Sequence, residues 1–343
     1  MRKEALLYDK LAGNQVRCNL CSHHCQIAEG RLGICQVREN SGGVLHTLVY
    51  GQTISRYIDP IEKKPLYHFY PGSTVYSIAT PGCNFRCHWC QNWQISQTLR
   101  MDRSIVGDEI SPEQLVDRAK QAGCQSIAYT YTEPTIFFEY AYDTARLARS
   151  AGLSNVYVTN GYMTSEMLEA IAPYLDAANV DLKAFRDRTY RQYMGARLQP
   201  VLDSLKKLKQ LGIWLEVTTL VVPGINDESC ELQDIATFIL RELGADTPWH
   251  LSRFFPDYQL PGVPITPLET LNRARRLGQA VGLHYIYIGN APEAEGQDTR
   301  CHQCDRALIR RSGLTALNNL IQQGRCPSCG YAISGIGLDS FEC

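Results

Sequence analysis

Closely spaced cysteines constrain this 343-residue chain more than any other feature of its sequence. Of its 14 cysteines, groups of four, three and four lie within residues 18–35, 83–90 and 301–329. Cysteines two to four residues apart are too close for ordinary loop-spanning disulfides but are well spaced to converge on one metal. The three groups are Cys18, Cys21, Cys25 and Cys35; Cys83, Cys87 and Cys90; and Cys301, Cys304, Cys326 and Cys329.

Composition and charge exclude several classes of protein. Hydrophobic residues make up 44% and charged residues 20% of the chain, which is ordinary globular composition. The net charge of −1 provides no global field for nucleic acid or an anionic membrane. Apolar runs fall short of the roughly 18 residues of a membrane span, and the first 13 residues lack the pattern of a signal peptide. We therefore expect a cytoplasmic protein with no membrane partner.

From about residue 70 to 290, apolar β-rich runs alternate with helix-like stretches, which predicts a parallel sheet. Ser111 and Thr164 are predicted helix N-caps, the first followed by Pro112. We expect an α/β fold, a partial or complete TIM-like β/α barrel, with chemistry at the carboxyl ends of the strands. The predicted strands are Val75–Ala79, Ser126–Tyr131, Asn155–Thr159, Ala178–Leu182, Ile213–Val221, Trp249–Ser252 and His284–Ile288.

The cysteine groups and this alternation predict three regions. Residues 1–69 form an N-terminal metal-binding region, residues 70–290 form the barrel, and residues 291–343 form a C-terminal module resembling a zinc ribbon. The spacing Cys-x2-Cys…Cys-x2-Cys at 301–329 is typical of a closed structural zinc site. For the N-terminal four we expect zinc as well, with a second iron–sulfur cluster as the alternative, because spacing alone does not select the metal.

The central group follows the first predicted barrel strand directly. Its three thiolates, in Cys83-Asn-Phe-Arg-Cys87-His-Trp-Cys90, are one short of the four that close a zinc site or hold an iron–sulfur cube. A zinc ion would need another ligand such as His88. A cube held by three cysteines instead leaves one iron open to bind a small molecule.

The pattern Cys-x3-Cys-x-aromatic-Cys, with Trp89 in the aromatic place, resembles the signature of the radical S-adenosylmethionine (SAM) superfamily. The resemblance implies a radical SAM barrel whose [4Fe-4S] cluster sits on Cys83, Cys87 and Cys90 and binds SAM at the open iron. One electron, from a donor such as flavodoxin or ferredoxin, then cleaves SAM. The 5′-deoxyadenosyl radical that forms abstracts hydrogen from a substrate.

The same resemblance assigns residues at later strand ends to the SAM pocket. Thr132 and Glu133 stand where the superfamily has a Gly-Gly-Glu motif, although an acid ahead of Pro134 also suits a helix N-terminus. Val-Thr-Asn160-Gly and Asp181-Leu-Lys183 are similar to segments of pyruvate formate-lyase activating enzyme. Two roles have simple alternatives, since Lys183 can pair with Asp181 and His250 can be a core histidine. The expected cofactor-binding set is Cys83, Cys87, Cys90, Trp89, Thr132, Glu133, Asn160, Asp181, Lys183, His250 and Arg253, with Lys183 and the three cysteines as catalytic candidates.

Taken over most of its length, the chain resembles the radical SAM member of the AmmeMemoRadiSam system. The segments that carry this likeness include Cys18-Asn-Leu-Cys21-Ser-His-His-Cys25 and Asp59-Pro-Ile-Glu-Lys-Lys-Pro-Leu-Tyr-His-Phe. That family resembles glycyl-radical activating enzymes, whose substrate is a protein glycine. The resemblance does not settle the substrate of this chain, and a small molecule or an RNA nucleotide stays an alternative.

A second class of function competes with the enzyme. The chain could be a zinc-bearing adaptor or nucleic-acid-binding protein on an inactive barrel, with zinc in all three cysteine groups. Arginines near the C-terminal cysteines would form either its binding face or an ordinary solvated face. They are Arg300, Arg306, Arg310, Arg311 and Arg325.

Overall fold

A computed structural model describes residues 1–100, 102, 104–292 and 294–339 of the chain, with an eight-stranded sheet at the centre. Seven strands are parallel and follow one another in chain order across the sheet. They are β1 (Thr74–Ala79), β2 (Ser126–Tyr129), β3 (Ser154–Thr159), β4 (Ala177–Asp181), β5 (Trp214–Val221), β6 (Trp249–Arg253) and β7 (Ile286–Gly289).

An eighth strand, Ser55–Pro60, pairs antiparallel with β1 at one edge of this sheet. Within the described residues the sheet ends at this strand and at β7, so the barrel is partial. The predicted barrel strands are confirmed to within a few residues. Ser55–Pro60 was not predicted, because its side chains are mostly exposed or half-buried and carry no apolar alternation.

Helices connect the parallel strands. Ser111 caps α1 with the predicted capping box, and the Thr164 side chain caps α3 by accepting from the Met167 N–H at 3.2 Å. The main helices are α1 (Pro112–Gln121), α2 (Phe138–Ser150), α3 (Ser165–Ile171), α4 (Leu198–Gln210), α5 (Ser229–Phe238) and α6 (Leu268–Val281), and Trp93–Ser96 and Asp187–Thr189 are shorter. The described helices include none that is long and apolar enough to cross a bilayer.

Short strands build the N-terminal region, which docks on the carboxyl ends of the parallel strands. The Thr164 hydroxyl donates to the Asn19 carbonyl at 2.8 Å, and buried Arg38 forms an ion pair with Glu139 of α2. The strands are Lys3–Glu4, Tyr8–Lys10, Val16–Cys18, Gln26–Ile27, Arg38–Ser41, Val44–Thr47 and Gln52–Thr53, the last paired with Asp108–Glu109.

The C-terminal part is a three-stranded sheet of Thr299–Arg300, Ala307–Ser312 and Thr315–Asn319. It is tied to the segment that follows Ser55–Pro60. A ring nitrogen of His68 lies 2.7 Å from the Ser334 carbonyl, and Arg311 donates to the Tyr67 carbonyl at 2.9 Å. Boundaries at residues 69/70 and 290/291 stay predictions, and contacts of this kind cross both of them.

Candidate active site and metal centres

The loop that follows β1 is held in place by its backbone. Gly82 has φ +101°, and a Cβ at this position would lie 2.9 Å from the Cγ1 of Val37, so a side chain does not fit. The N–H of Arg86 donates to the Met194 carbonyl at 2.9 Å, and the N–H of His88 donates to the Tyr193 carbonyl at 3.1 Å. The loop is thereby fixed at the carboxyl end of the first parallel strand, where active sites of β/α barrels form.

Three largely buried thiols project from this loop. Cys83 and Cys87 are 9% and 8% exposed, and the sulfur of Cys90 lies 3.2 Å from the Ser96 hydroxyl. Burial raises the pKa of all three, that of Cys87 to about 12, which the positive charge of Lys183 partly offsets. A metal bound here would displace the three protons.

The surroundings of these thiols fit a bound group. Three buried polar atoms beside the loop have no hydrogen-bond partner within the described part of the chain, namely Thr80 Oγ1, Asn84 Nδ2 and Trp89 Nε1. Buried polar groups are normally paired, so these atoms are available to a ligand. The described residues place neither these cysteines nor His88 in a set of three ligand atoms within 4.8 Å. That spacing does not suit a single tetrahedral zinc, whose ligands sit about 2.3 Å from the metal.

Glu133 lies at the end of β2 and is completely buried. Its carboxylate accepts from the Thr135 N–H and hydroxyl at 3.1 and 2.6 Å, from the Thr159 hydroxyl at 2.7 Å and from the Asn160 N–H at 2.8 Å. Burial raises the pKa of Glu133, and these hydrogen bonds oppose the rise. The expected contact of Glu133 with SAM stays a prediction, because all of these partners belong to the protein. The Thr132 hydroxyl likewise donates to a protein group, the Thr80 carbonyl, at 2.9 Å.

Asn160, at the end of β3, connects two loops. Its side-chain nitrogen donates to the Asn84 side-chain oxygen at 2.7 Å and lies 3.9 Å from the Cys83 sulfur. Its side-chain oxygen accepts from the Tyr162 N–H at 3.0 Å. Asn160 therefore belongs to the immediate surroundings of the central cysteines.

Asp181 and Lys183, at the end of β4, form an ion pair of 2.7 Å. Burial alone would lower the pKa of Lys183, but the charges of Asp181 and Cys87 outweigh it and raise this pKa. The ammonium group is consequently a fixed positive charge near the central cysteines.

His250 and Arg253 of β6 have partners away from the cysteine loop. A ring nitrogen of His250 lies 2.6 Å from the Glu216 carboxylate, and the ring stacks on Tyr287. Arg253 donates to the Thr266 carbonyl at 2.8 Å. Their expected roles in cofactor binding stay predictions. His250 does line a cavity of about 320 Å³, shared with Lys63, Thr218 and other residues.

Sequence reasoning assigned no role to a charged cluster beside the Glu133 loop. Asp59 pairs with Lys63 and Lys64, both at 2.8 Å, and accepts a hydrogen bond from the Tyr131 hydroxyl. Burial lowers the pKa of Lys64 to about 8, and Asp59 partly opposes this. In the sequence, the charged residues of this segment are indistinguishable from those of an exposed loop, so only the family likeness draws attention to it.

The C-terminal cysteines form a compact set. The sulfurs of Cys301 and Cys329 are 3.5 Å apart, those of Cys304 and Cys326 are 3.7 Å apart, and all four lie within 4.8 Å of one another. Four soft thiolates at this spacing fit one tetrahedral metal, for which zinc is the expected ion. The nearby arginines do not share one face, because Arg311 is buried.

The fold is a partial β/α barrel, and three thiols lie on the loop after its first parallel strand. These two features define a class of barrel proteins that bind a metal group at the carboxyl ends of their strands. Residues 77–237 match the model of the Radical SAM superfamily, and the chain belongs to that family. Membership implies a [4Fe-4S] cluster and SAM as cofactors.

Proteins similar to this chain include an uncharacterized relative, an activating enzyme and a solved methyltransferase structure. The chain is 48% identical to uncharacterized protein MJ0808 of Methanocaldococcus jannaschii over 96% of this chain and 98% of that protein. It is 23% identical to the pyruvate formate-lyase-activating enzyme of Clostridium pasteurianum over 46% of this chain and 66% of that enzyme. A radical SAM methyltransferase structure from Sphaerobacter thermophilus shares the fold, with a TM-score of 0.50 and 18% identity over 67% of this chain and 71% of that one.

Proposed function

We propose that the chain is an enzyme that cleaves SAM reductively at the carboxyl end of its barrel and uses the resulting radical on a substrate. The observation that carries this proposal is the three-thiol loop after β1, around which three buried polar atoms have no hydrogen-bond partner among the described residues. A [4Fe-4S] cluster held there would supply the electron that cleaves SAM, and the resulting 5′-deoxyadenosyl radical would take a hydrogen atom from the substrate. Cys83, Cys87 and Cys90 would hold the cluster.

The chain's own residues position and shield this chemistry. Glu133 fixes the backbone of Asn160, whose side chain fixes Asn84 beside the cluster loop. Lys183 supplies a positive charge toward the carboxylate of SAM, and Trp89 supplies a buried apolar surface. The N-terminal region packs against the cysteine loop, where a ring nitrogen of His23 lies 2.9 Å from the Asn84 carbonyl, and would help to shield a reactive intermediate from water.

We further propose that the substrate enters the cavity between the barrel strands and the C-terminal sheet. That cavity is lined by residues of β5, β6 and the segment after Ser55–Pro60, among them Thr218, His250 and Lys63. A protein substrate is favoured, because a named relative is an activating enzyme of another protein. The rival function, a zinc-bearing adaptor, predicts zinc rather than iron on the central cysteines.

The test is anaerobic reconstitution with iron and sulfide, followed by SAM, dithionite and measurement of 5′-deoxyadenosine. Wild type should form this product, and Cys83→Ala should lose both the product and about four irons per chain. Cys124→Ala, a buried cysteine outside the three groups, serves as the matched control and should retain both. Two results would overturn the proposal. One is 5′-deoxyadenosine formation that persists in Cys83→Ala, and the other is zinc instead of iron on the central cysteines of the wild-type protein.

A further inference from the structure

The N-terminal cysteines lie beside the central cysteine loop. Cys18 ends a strand, its N–H donates to the Cys25 carbonyl at 3.0 Å, and both residues line a small cavity. Cys21 and Cys35 complete the set around this cavity, whose wall also includes apolar Ile27. All four are free thiols.

Direct contacts join this site to the central one. A Cβ on Gly82 would lie 3.2 Å from the Cys35 carbonyl oxygen, so the residue preceding Cys83 packs on a residue of the N-terminal group. The Arg100 guanidinium donates to the Ile34 carbonyl at 3.2 Å and to the Cys83 carbonyl at 2.9 Å. Each contact reaches a cysteine ligand or the residue next to one.

Asn84 belongs to both sites. Its backbone carbonyl lies 2.9 Å from a ring nitrogen of His23, which stands between Cys21 and Cys25. Its side chain lines the N-terminal cavity and bonds to Asn160 beside the Cys83 sulfur. Asn84 therefore contacts the surroundings of both groups of thiols.

The spacing of the sulfurs distinguishes the N-terminal group from the C-terminal group. In the described chain, only the C-terminal four bring their sulfurs within 4.8 Å of one another, as one tetrahedral zinc requires. The N-terminal four are more open, as are the three central cysteines. Four thiolates around a wider centre suit an iron–sulfur cluster, which spans several metal atoms.

We propose that Cys18, Cys21, Cys25 and Cys35 hold a second iron–sulfur cluster that passes electrons to the central one. The proposal rests on the proposed function, since the central cluster is its electron acceptor. In each transfer the second cluster is oxidised by one electron and the central cluster is reduced by one electron. A one-electron donor protein of the ferredoxin or flavodoxin class then reduces the second cluster again. The position of this site fits a relay, because its outer side includes exposed Ile34 while the central thiols are largely buried.

Metal content tests the assignment. Anaerobically reconstituted wild type should hold about eight irons and about one zinc per chain, and Cys21→Ala should hold about four irons and still one zinc. Cys304→Ala, the matched control, should lose zinc and keep its iron. Electron paramagnetic resonance of the reduced protein should fall from about two spins per chain to about one in Cys21→Ala. Four irons with two zincs in wild type would overturn the second cluster.

Kinetics tests the relay. With a ferredoxin-type donor, SAM cleavage by Cys21→Ala should fall about tenfold or more, whereas titanium(III) citrate should support cleavage close to the wild-type rate. Equal donor-driven rates in both proteins would overturn the relay. Cys25→Ser provides a second variant should Cys21→Ala lose its folded circular dichroism spectrum. If wild type holds eight irons but never cleaves SAM, the proposed function fails while the second cluster stands. If wild type holds four irons and two zincs and does cleave SAM, the second cluster fails while the proposed function stands.

Discussion

The carboxylate of Glu133 accepts a hydrogen bond of 2.8 Å from the backbone N–H of Asn160. This bond joins the end of β2 to the end of β3. Because the Asn160 side chain in turn bonds to Asn84, the carboxylate orients the cysteine loop through two residues. Glu133 is thus a positioning residue in this structure.

Replacing Glu133 with Gln should therefore weaken SAM binding and stability together. The amide oxygen of Gln can keep the three hydrogen bonds that Oε1 accepts from Thr135 and Thr159, but its NH2 group then faces the Asn160 N–H, donor against donor. An unsatisfied buried group of this kind costs about 1–3 kcal/mol. Thermal unfolding and calorimetric titration with SAM measure both effects. Glu166→Gln, at an exposed site on α3, should change neither quantity. Full stability in Glu133→Gln would contradict the positioning role.

Lys183→Met should reduce SAM affinity without removing the cluster. The lysine carries a largely buried positive charge next to Asp181, and a charge-assisted contact with a carboxylate is lost on substitution. We expect about tenfold weaker SAM binding at unchanged iron content. Lys206→Met is the control, because that lysine is partly exposed on α4 and pairs with Asp203 at 3.7 Å. Unchanged SAM affinity in Lys183→Met would remove the lysine from the pocket.

Much of the barrel was predictable from the sequence because each parallel strand is buried on both faces. Such strands appear as short apolar runs between helix signals, and Ser111 and Thr164 mark helix starts with their own side chains. The three-cysteine loop was equally visible, because a motif on consecutive residues does not depend on tertiary contacts.

The features that could not be predicted are contacts between residues far apart in the chain. Glu62 and Arg311 are both buried although they are 249 residues apart, and nothing in either segment indicates the contact. Glu216 is completely buried on β5, where it accepts from the N–H groups of Tyr67 and His68. Buried charges of this kind look like solvated ones until their partners are known. The adjacency of the two cysteine sites is concealed for the same reason.

Stability should fall with acid partly through His68. Burial lowers the pKa of this ring to about 4 from an ordinary value near 6.5, so the folded state stays neutral where the unfolded chain takes up a proton. The stabilisation is complete above pH 6.5 and is lost as the pH falls toward 4, by up to roughly 3 kcal/mol. We would measure the free energy of unfolding by denaturant for wild type and His68→Gln at pH 7.5 and at pH 5.5, with the metal content matched. The stability of the variant should depend less on pH, and identical slopes would exclude His68 as the titrating group.

Arg311 should hold the C-terminal sheet on the barrel. Its guanidinium donates to the Tyr67 carbonyl at 2.9 Å and to the Thr299 hydroxyl at 2.8 Å, and it offsets the buried charge of Glu62. Arg311→Met leaves that carboxylate without its cation, and breaking a buried pair costs about 3–5 kcal/mol. The double variant with Glu62→Gln should recover part of the loss, because no buried charge then remains.

Arg310→Met is the control for this prediction. Its side chain is exposed one residue away, so the variant should change stability by less than about 0.5 kcal/mol. Denaturant unfolding and limited proteolysis within residues 299–339 measure the outcome; equal stability of the two single variants would show that Arg311 does not anchor the sheet.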